Sequence, residues 1–298
     1  MMEDFECRIR GDLSGADAEL LVQIGFALEK DTVFEQNYPA AISFYSAVAP
    51  AGNAQAMNNL GWMLENGLGT DRDVRLAVEA FTVAVQKGNS CAMVNLGNIY
   101  EFGLLDGTPD YKKAFGWYKK AAEQGNQKGL FNYANCYHHG WGTRKNRKKA
   151  FPIFKELADK GYEGAAFYVG LYYQEGYAVK RDYALARKYY RMGALEECMY
   201  CFNQLGVLFA KGFGVKKDPY AALDYYKRAA ELGDSLAYCN VGWLYESGQL
   251  GSPDLEEAIK WYRYGAFGGD ENCKDQLIRL GIPIPSNKII MYDNADTF

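Results

Sequence analysis

Glycine or alanine returns at Gly25, Gly61, Gly97, Ala134, Gly170, Gly206 and Gly242, at intervals of 36, 36, 37, 36, 36 and 36 residues. A second column, Ala41, Ala77, Ala114, Ala150, Ala186, Ala222 and Ala258, keeps the same intervals. The extra residue of the third unit therefore lies between its two markers, in the loop LLDGTPD. A fixed period of this length is the mark of an array. One small unit cannot bury its own apolar face, so stacked neighbours must supply the missing cover. That requirement turns 298 residues from a question of two globular domains into a question of what one unit looks like.

Each unit reads as two helices. Apolar or small residues fall five before, one before and three after the glycine marker, as in Ala92, Leu96 and Tyr100, which is one helical face. After the alanine marker they fall at three, four, seven and eight, as in Trp117, Tyr118, Ala121 and Ala122. Large residues thus face small ones, and neighbouring helices can approach closely. Four residues before every alanine marker stands Asn37, Asp73, Asp110, Asn146, Asp182, Asp218 or Asp254, each suited to cap a second helix by accepting from an orphaned backbone N–H. Six after the glycine marker come Gly67, Gly103, Gly140, Gly176, Gly212 and Gly248, placed to end the first helix, with Asp31 in the first unit. A closing glycine follows the second helix at Gly52, Gly88, Gly125, Gly161, Gly233 and Gly269, and the fifth unit has Glu197 there.

The unit formed by LGNIYEFG and KAFGWYKKAAEQGN in residues 96–126 resembles the Sel-one-like repeat (SLR), a relative of the tetratricopeptide repeat with a longer loop between its helices. The resemblance implies an all-α fold, a right-handed α/α superhelical solenoid of seven helix-pair repeats over residues 16–269. An N-terminal cap at 1–15, a capping helix at 270–280 and an extended tail at 281–298 complete the expected layout. It also implies a non-catalytic scaffold or adaptor that binds a peptide or protein surface in its concave groove, with no cofactor and no catalytic residue. Two other readings stay open: a dedicated inhibitor or immunity-type protein, and a hydrolase using carboxylates on the groove.

Composition narrows the partners. A net charge of −4 argues against a general nucleic-acid or anionic-membrane binder. No window approaches the roughly 18 apolar residues of a membrane span, and MMEDFECRIR has acids where a signal peptide carries basic residues. A cytoplasmic location is the expectation. Seven cysteines at irregular spacing fit reduced thiols better than a disulfide framework.

Three stretches look chemical and read more simply as architecture. CYHHGWGTRKNRKKAF holds both histidines, His138 and His139, beside Arg144, Lys145, Arg147, Lys148 and Lys149. Adjacent helical residues diverge by about 100°, and a zinc site needs three or four converging ligands, so the pair reads as a helix end and the basic run as a solvated loop. Cys198 and Cys201 form a CxxC without the strand framework of a redox site, which favours helix packing. Asn59, Asn95, Asn132 and Asn240 recur two before the marker, and hydrogen bonding to loops within the stack is their expected role. No metal site follows from these residues.

By analogy with related helical repeats, the groove is expected to be lined by first-helix residues three before, one after, four after and five after each marker. The candidate partner-binding residues are Phe26, Glu29, Trp62, Glu65, Asn98, Glu101, Asn135, His138, Trp243 and Glu246. Exposed aromatics beside acids would favour a protein or peptide with a basic segment.

Overall fold

The computed structural model describes residues 22–26, 28, 37–48 and 52–284. The expected N-terminal cap, Asp31, Glu29 and the tail beyond residue 284 lie outside them. Among the described residues all regular structure is helical. A first compact unit, ending at Ala150, holds a helical stretch at 22–26 and helices α1 (Tyr38–Val48), α2 (Ala54–Asn66), α3 (Val74–Gln86), α4 (Ser90–Glu101), α5 (Tyr111–Glu123) and α6 (Gln127–His139). Helix α7 (Arg147–Asp159) starts in it and runs on. The second unit, from Phe151, holds α8 (Ala165–Glu175), α9 (Tyr183–Leu195), α10 (Met199–Lys211), α11 (Pro219–Glu231), α12 (Ser235–Glu246), α13 (Leu255–Phe267) and α14 (Glu271–Arg279). Within each unit, consecutive helices pack on one another as the period demands.

The second helix of every repeat starts where its cap column predicts. Asn37, Asp73, Asp110, Asn146, Asp182, Asp218 and Asp254 each accept from backbone N–H groups two or three residues on, at 2.9–3.1 Å. First helices carry a second cap column that sequence reasoning passed over. Asn53, Asn89, Asn126, Asp234 and Asp270 stand directly after the closing glycine and accept in the same way. Asn89 and Asn126 also donate back to the start of the preceding first helix, to the Ala54 carbonyl at 3.3 Å and the Ser90 hydroxyl at 3.1 Å. A cap thereby becomes a tie between repeats.

Turns follow the glycine columns. Glu197 is the informative exception, because it holds φ at 55°, in the left-handed region that its six glycine counterparts occupy at 73–98°. The repeat geometry imposes that conformation on a residue with a Cβ, and Arg228 closes on its carboxylate at 2.6 Å.

The glycine marker exists to seat an aromatic ring. An ideal Cβ at Gly25, Gly61, Gly206 or Gly242 would stand 2.5–2.8 Å from the ring of Tyr45, Phe81, Tyr226 or Tyr262, twenty residues on, and Gly97 and Gly170 meet Tyr118 and Tyr190 in the same way. Those rings are at most 3% exposed. Each contributes roughly 2 kcal/mol by leaving water, and none of the six would fit against an alanine without movement. A similar exchange of size locks the second helix to the next first helix: Gly129 faces Ala121, Gly193 faces Cys201 and Gly265 faces Cys273. The asparagine column bonds differently from expectation. Asn95 donates to Asn58 at 3.0 Å and Asn240 to Asn203 at 2.7 Å, so the ladder runs between neighbouring first helices rather than to loops. Side chains on parallel columns of stacked helices lie nearer to each other than to any loop.

Candidate functional site

In the third and seventh repeats the ring over the marker glycine is a tyrosine whose hydroxyl reaches the candidate acid four after that marker. In the third repeat Tyr118 Oη donates to Glu101 at 2.6 Å and lies 2.8 Å from Asn98 Oδ1. In the seventh, Tyr262 donates to Glu246 at 2.7 Å, and Arg279 of α14 reaches the other oxygen. Burial, reinforced by the acceptor carboxylates, pushes both tyrosine hydroxyls far above their usual pKa. At Glu246 burial works against the charge, but Arg279 and Tyr262 outweigh it and hold the carboxyl below its usual range. These two acids are therefore occupied by the fold.

Other repeats break the pairing. Phe81 brings no hydroxyl to Glu65, whose pKa is raised by burial against the opposing charges of Arg72 and Lys128. In the fifth repeat Gln174 replaces the acid, and Tyr190 Oη and Gln174 Oε1 are both buried without a hydrogen-bond partner. His138 takes the acid's place in the fourth repeat and is only 5% exposed. Burial first, then His139, Arg147 and Lys145, drive its pKa down to about 4, so the ring is neutral at physiological pH.

The aromatic column divides in the same manner. Phe26 is 49% exposed, Trp62 is half-buried between two core clusters, and Trp243 is 38% exposed with Lys211 Nζ 5.1 Å from its ring centre. Asn135 Oδ1 is buried and unpaired. Of the described candidate residues, Trp243 alone lines the cavity between the sixth and seventh repeats. Trp243 and Val207, one after their markers, join Lys211, Tyr226, Cys239, Asn240, Tyr262 and Gln276 around a cavity of about 280 Å³.

The histidine stretch is a ladder of rings. His139 stacks on Trp141 at 4.2 Å, His138 meets His139 edge-on at 4.6 Å, and Tyr111 stacks on Trp141 at 5.7 Å. Neither histidine belongs to a metal-ligating group of three among the described residues. In the basic run Arg144, Lys145, Lys148 and Lys149 are exposed, and Lys149 Nζ lies 5.3 Å from the Tyr137 ring centre. Cys198 stands at the N-cap position of α10 without a side-chain capping bond, and the thiol of Cys201, hydrogen-bonded to it, draws its pKa down to about 7 against the cost of burial. Sequence reasoning missed a further trio, Cys239, Asp270 and Cys273, whose ligand atoms lie within 4.8 Å of one another. Their 34-residue and 3-residue separations match no local motif.

The family description of the Sel1 repeat matches residues 54–89, 92–126, 127–162, 164–197, 203–234 and 235–270. The unit before residue 54 is not matched, although its Asn37 cap and its Gly25–Tyr45 contact follow the same rules. A Sel1 repeat protein from Oxalobacter formigenes has a similar structure, with 30% identity over 82% of this chain and 96% of its own and a TM-score of 0.75. The c5321 protein, a protective antigen of uropathogenic Escherichia coli with an SLR fold, is 28% identical at a TM-score of 0.69. That match covers 89% of this chain, which spans only 57% of the antigen. No curated protein matches. Sel1 repeats mediate protein–protein interaction and are generally non-catalytic adaptors, and no helix among the described residues is long and apolar enough to cross a membrane. With its repeat columns, caps and glycine-seated rings, the chain belongs to the Sel1 repeat family.

Proposed function

We propose that this protein is a non-catalytic binding module that holds a segment of another protein across the first-helix columns, with its anchor at the sixth and seventh repeats. The cavity of about 280 Å³ beside Trp243 carries the reading, because it joins a part-exposed aromatic to two tyrosine rings and the amides of Asn240 and Gln276. A basic side chain on the partner would take the place of Lys211 over the Trp243 face. At the second repeat, Glu65 has no tyrosine hydroxyl to satisfy it and gains from a partner's cation. A hydrolase would need free carboxylates, and two of the column's acids are already bound by tyrosines. A cytoplasmic location belongs to the same reading, since thiol pairs as close as Cys239 and Cys273 stay reduced there.

The test is selection of peptides on the full chain, followed by affinity measurements. Trp243→Ala weakens the selected peptides at least about 30-fold, equivalent to about 2 kcal/mol. Trp62→Ala weakens them further, and Glu65→Lys both weakens them and reduces the salt dependence. Full affinity in all three variants would move the functional surface elsewhere. Turnover of a bound peptide would overturn the non-catalytic reading.

A further inference from the structure

Two thiols and a carboxylate meet where the last repeat packs on α14. Cys239 lies on α12, Asp270 caps α14, and Cys273 is the third residue of that helix. Their two sulfurs and one carboxylate oxygen all lie within 4.8 Å of one another. Cys273 is fully buried and Asp270 is 7% exposed. Cys239 is half-buried and lines the cavity beside Trp243, which gives the cluster a route to solvent.

Repeat columns explain how the three came together. Asp270 occupies the first-helix cap position, and its Oδ1 accepts from Cys273 N at 2.7 Å, which fixes the carboxylate's orientation. Cys273 occupies a column filled elsewhere by Ala56, Ala92, Gly129, Ala165, Cys201 and Ala237, and Gly265 opposite makes room for its sulfur. Cys239 stands where other repeats have valine, phenylalanine or an asparagine of the ladder. The preceding cap adds a separate observation. Asp234 is 3% exposed, and its Oδ2 is buried with no hydrogen-bond partner. Where earlier repeats put amide caps that donate to their neighbours, the last two caps are buried carboxylates, with Asp270 acting on Asp234 as a like charge, and a cation offsets that repulsion.

We infer that Cys239, Cys273 and Asp270 bind one zinc-type divalent ion, with water from the cavity as fourth ligand. Thiolates select a borderline-soft metal over magnesium or calcium, and two sulfurs with one oxygen suit a four-coordinate site. Binding replaces the two thiol protons, which leave as two H⁺, and no electron is transferred. The ion would pin α14 to α12 and set one wall of the binding cavity. The other thiol pair, Cys198 and Cys201, has no third ligand among the described residues and is not a competing site.

The test uses the full reduced chain freed of metal, titrated with Co²⁺ and then with Zn²⁺. One equivalent of Co²⁺ produces thiolate charge-transfer absorption and tetrahedral visible bands, and one equivalent of Zn²⁺ abolishes both. Cys239→Ser loses about half of the charge-transfer intensity at saturation and about 100-fold in affinity, while Asp270→Asn, whose side chain still caps the helix as Asn53 and Asn89 do, loses about tenfold. Cys198→Ser binds as the wild type does. Zn²⁺ raises the melting temperature of the wild type and not of the Cys239→Ser chain, which separates loss of the site from loss of the fold. Absence of stoichiometric binding, unchanged affinity in Cys239→Ser or Asp270→Asn, or loss in Cys198→Ser would overturn the assignment.

Discussion

The second and third repeats both seat a ring on their marker glycine, and the two rings differ in one oxygen. Gly61 seats Phe81 and Gly97 seats Tyr118, each ring fully buried. In the third repeat the tyrosine hydroxyl donates to Glu101 and lies beside Asn98 Oδ1. In the second, Glu65 lacks that donor and burial opposes its charge. The columns therefore look alike along the sequence while their chemistry is decided from behind, by the residue twenty or twenty-one positions after the marker glycine. An acid in the groove column is structural where a tyrosine backs it and available where a phenylalanine does.

The largest break in this comparison comes from the feature the two repeats share. Gly97→Ala, which drives a methyl into the Tyr118 ring, destabilises the chain by about 2–3 kcal/mol, because a fully packed ring has nowhere to move. Gly61→Ala behaves alike against Phe81. Gly116→Ala, in α5 with nothing within 4 Å of the new methyl, goes the other way by about 0.5–1 kcal/mol through helix propensity. Urea midpoints at unchanged m-value measure all three. Equal effects at Gly97 and Gly116 would mean that the markers are mere helix weakeners.

Removing the oxygen itself comes next. Tyr118→Phe leaves a half-buried carboxylate without its donor and costs about 1.5 kcal/mol. Phe81→Tyr offers Glu65 the same bond and costs less than the converse change, or stabilises. If the two substitutions shift stability equally and in the same direction, the hydroxyl–carboxylate pairing does not distinguish the repeats.

What the sequence made legible follows from what periodicity encodes. Columns of glycine, alanine and Asx mark helix ends, since a cap acts within three residues of itself, and all seven second-helix caps stand where the spacing puts them. Tyr118 is equally visible as a core position. Its pairing with Gly97 and Glu101 is not, because that needs the angle at which the two helices meet. The first-helix caps were legible in principle, as Asn53, Asn89 and Asn126 directly follow a closing glycine, but the glycine alone accounted for the turn. Cys239 and Cys273 were not legible, for they occupy different columns of adjacent units and meet only through the stacking distance.

Caps should leave the comparison untouched. Asp73→Ala removes the acceptor for Arg75 and Leu76 N–H and costs about 1 kcal/mol. Asp73→Asn costs almost nothing, since Asn37 and Asn146 cap the same column. A large loss in the asparagine variant would show that the charge, rather than the acceptor, holds that helix start.

The smallest effect is the most specific to the second repeat. Glu65 has its pKa raised in the folded chain by burial, with Arg72 and Lys128 opposing. Between its unfolded and folded pKa values the folded form holds more of the proton, so the stabilisation present below the unfolded value is lost as pH rises through the folded one. Because the side chain is partly solvated, the change amounts to about a few tenths of a kcal/mol. Phe81→Tyr supplies a donor to the charged form, lowers the folded pKa and flattens this slope. His138, neutral because buried, contributes the opposite sign between its usual value and about 4, where acid destabilises the fold. Measuring stability against pH in the His138→Gln background removes that larger contribution. A slope that stays the same with phenylalanine or tyrosine at position 81 would show that the hydroxyl does not reach Glu65, and that the second repeat's acid differs from the third's for another reason.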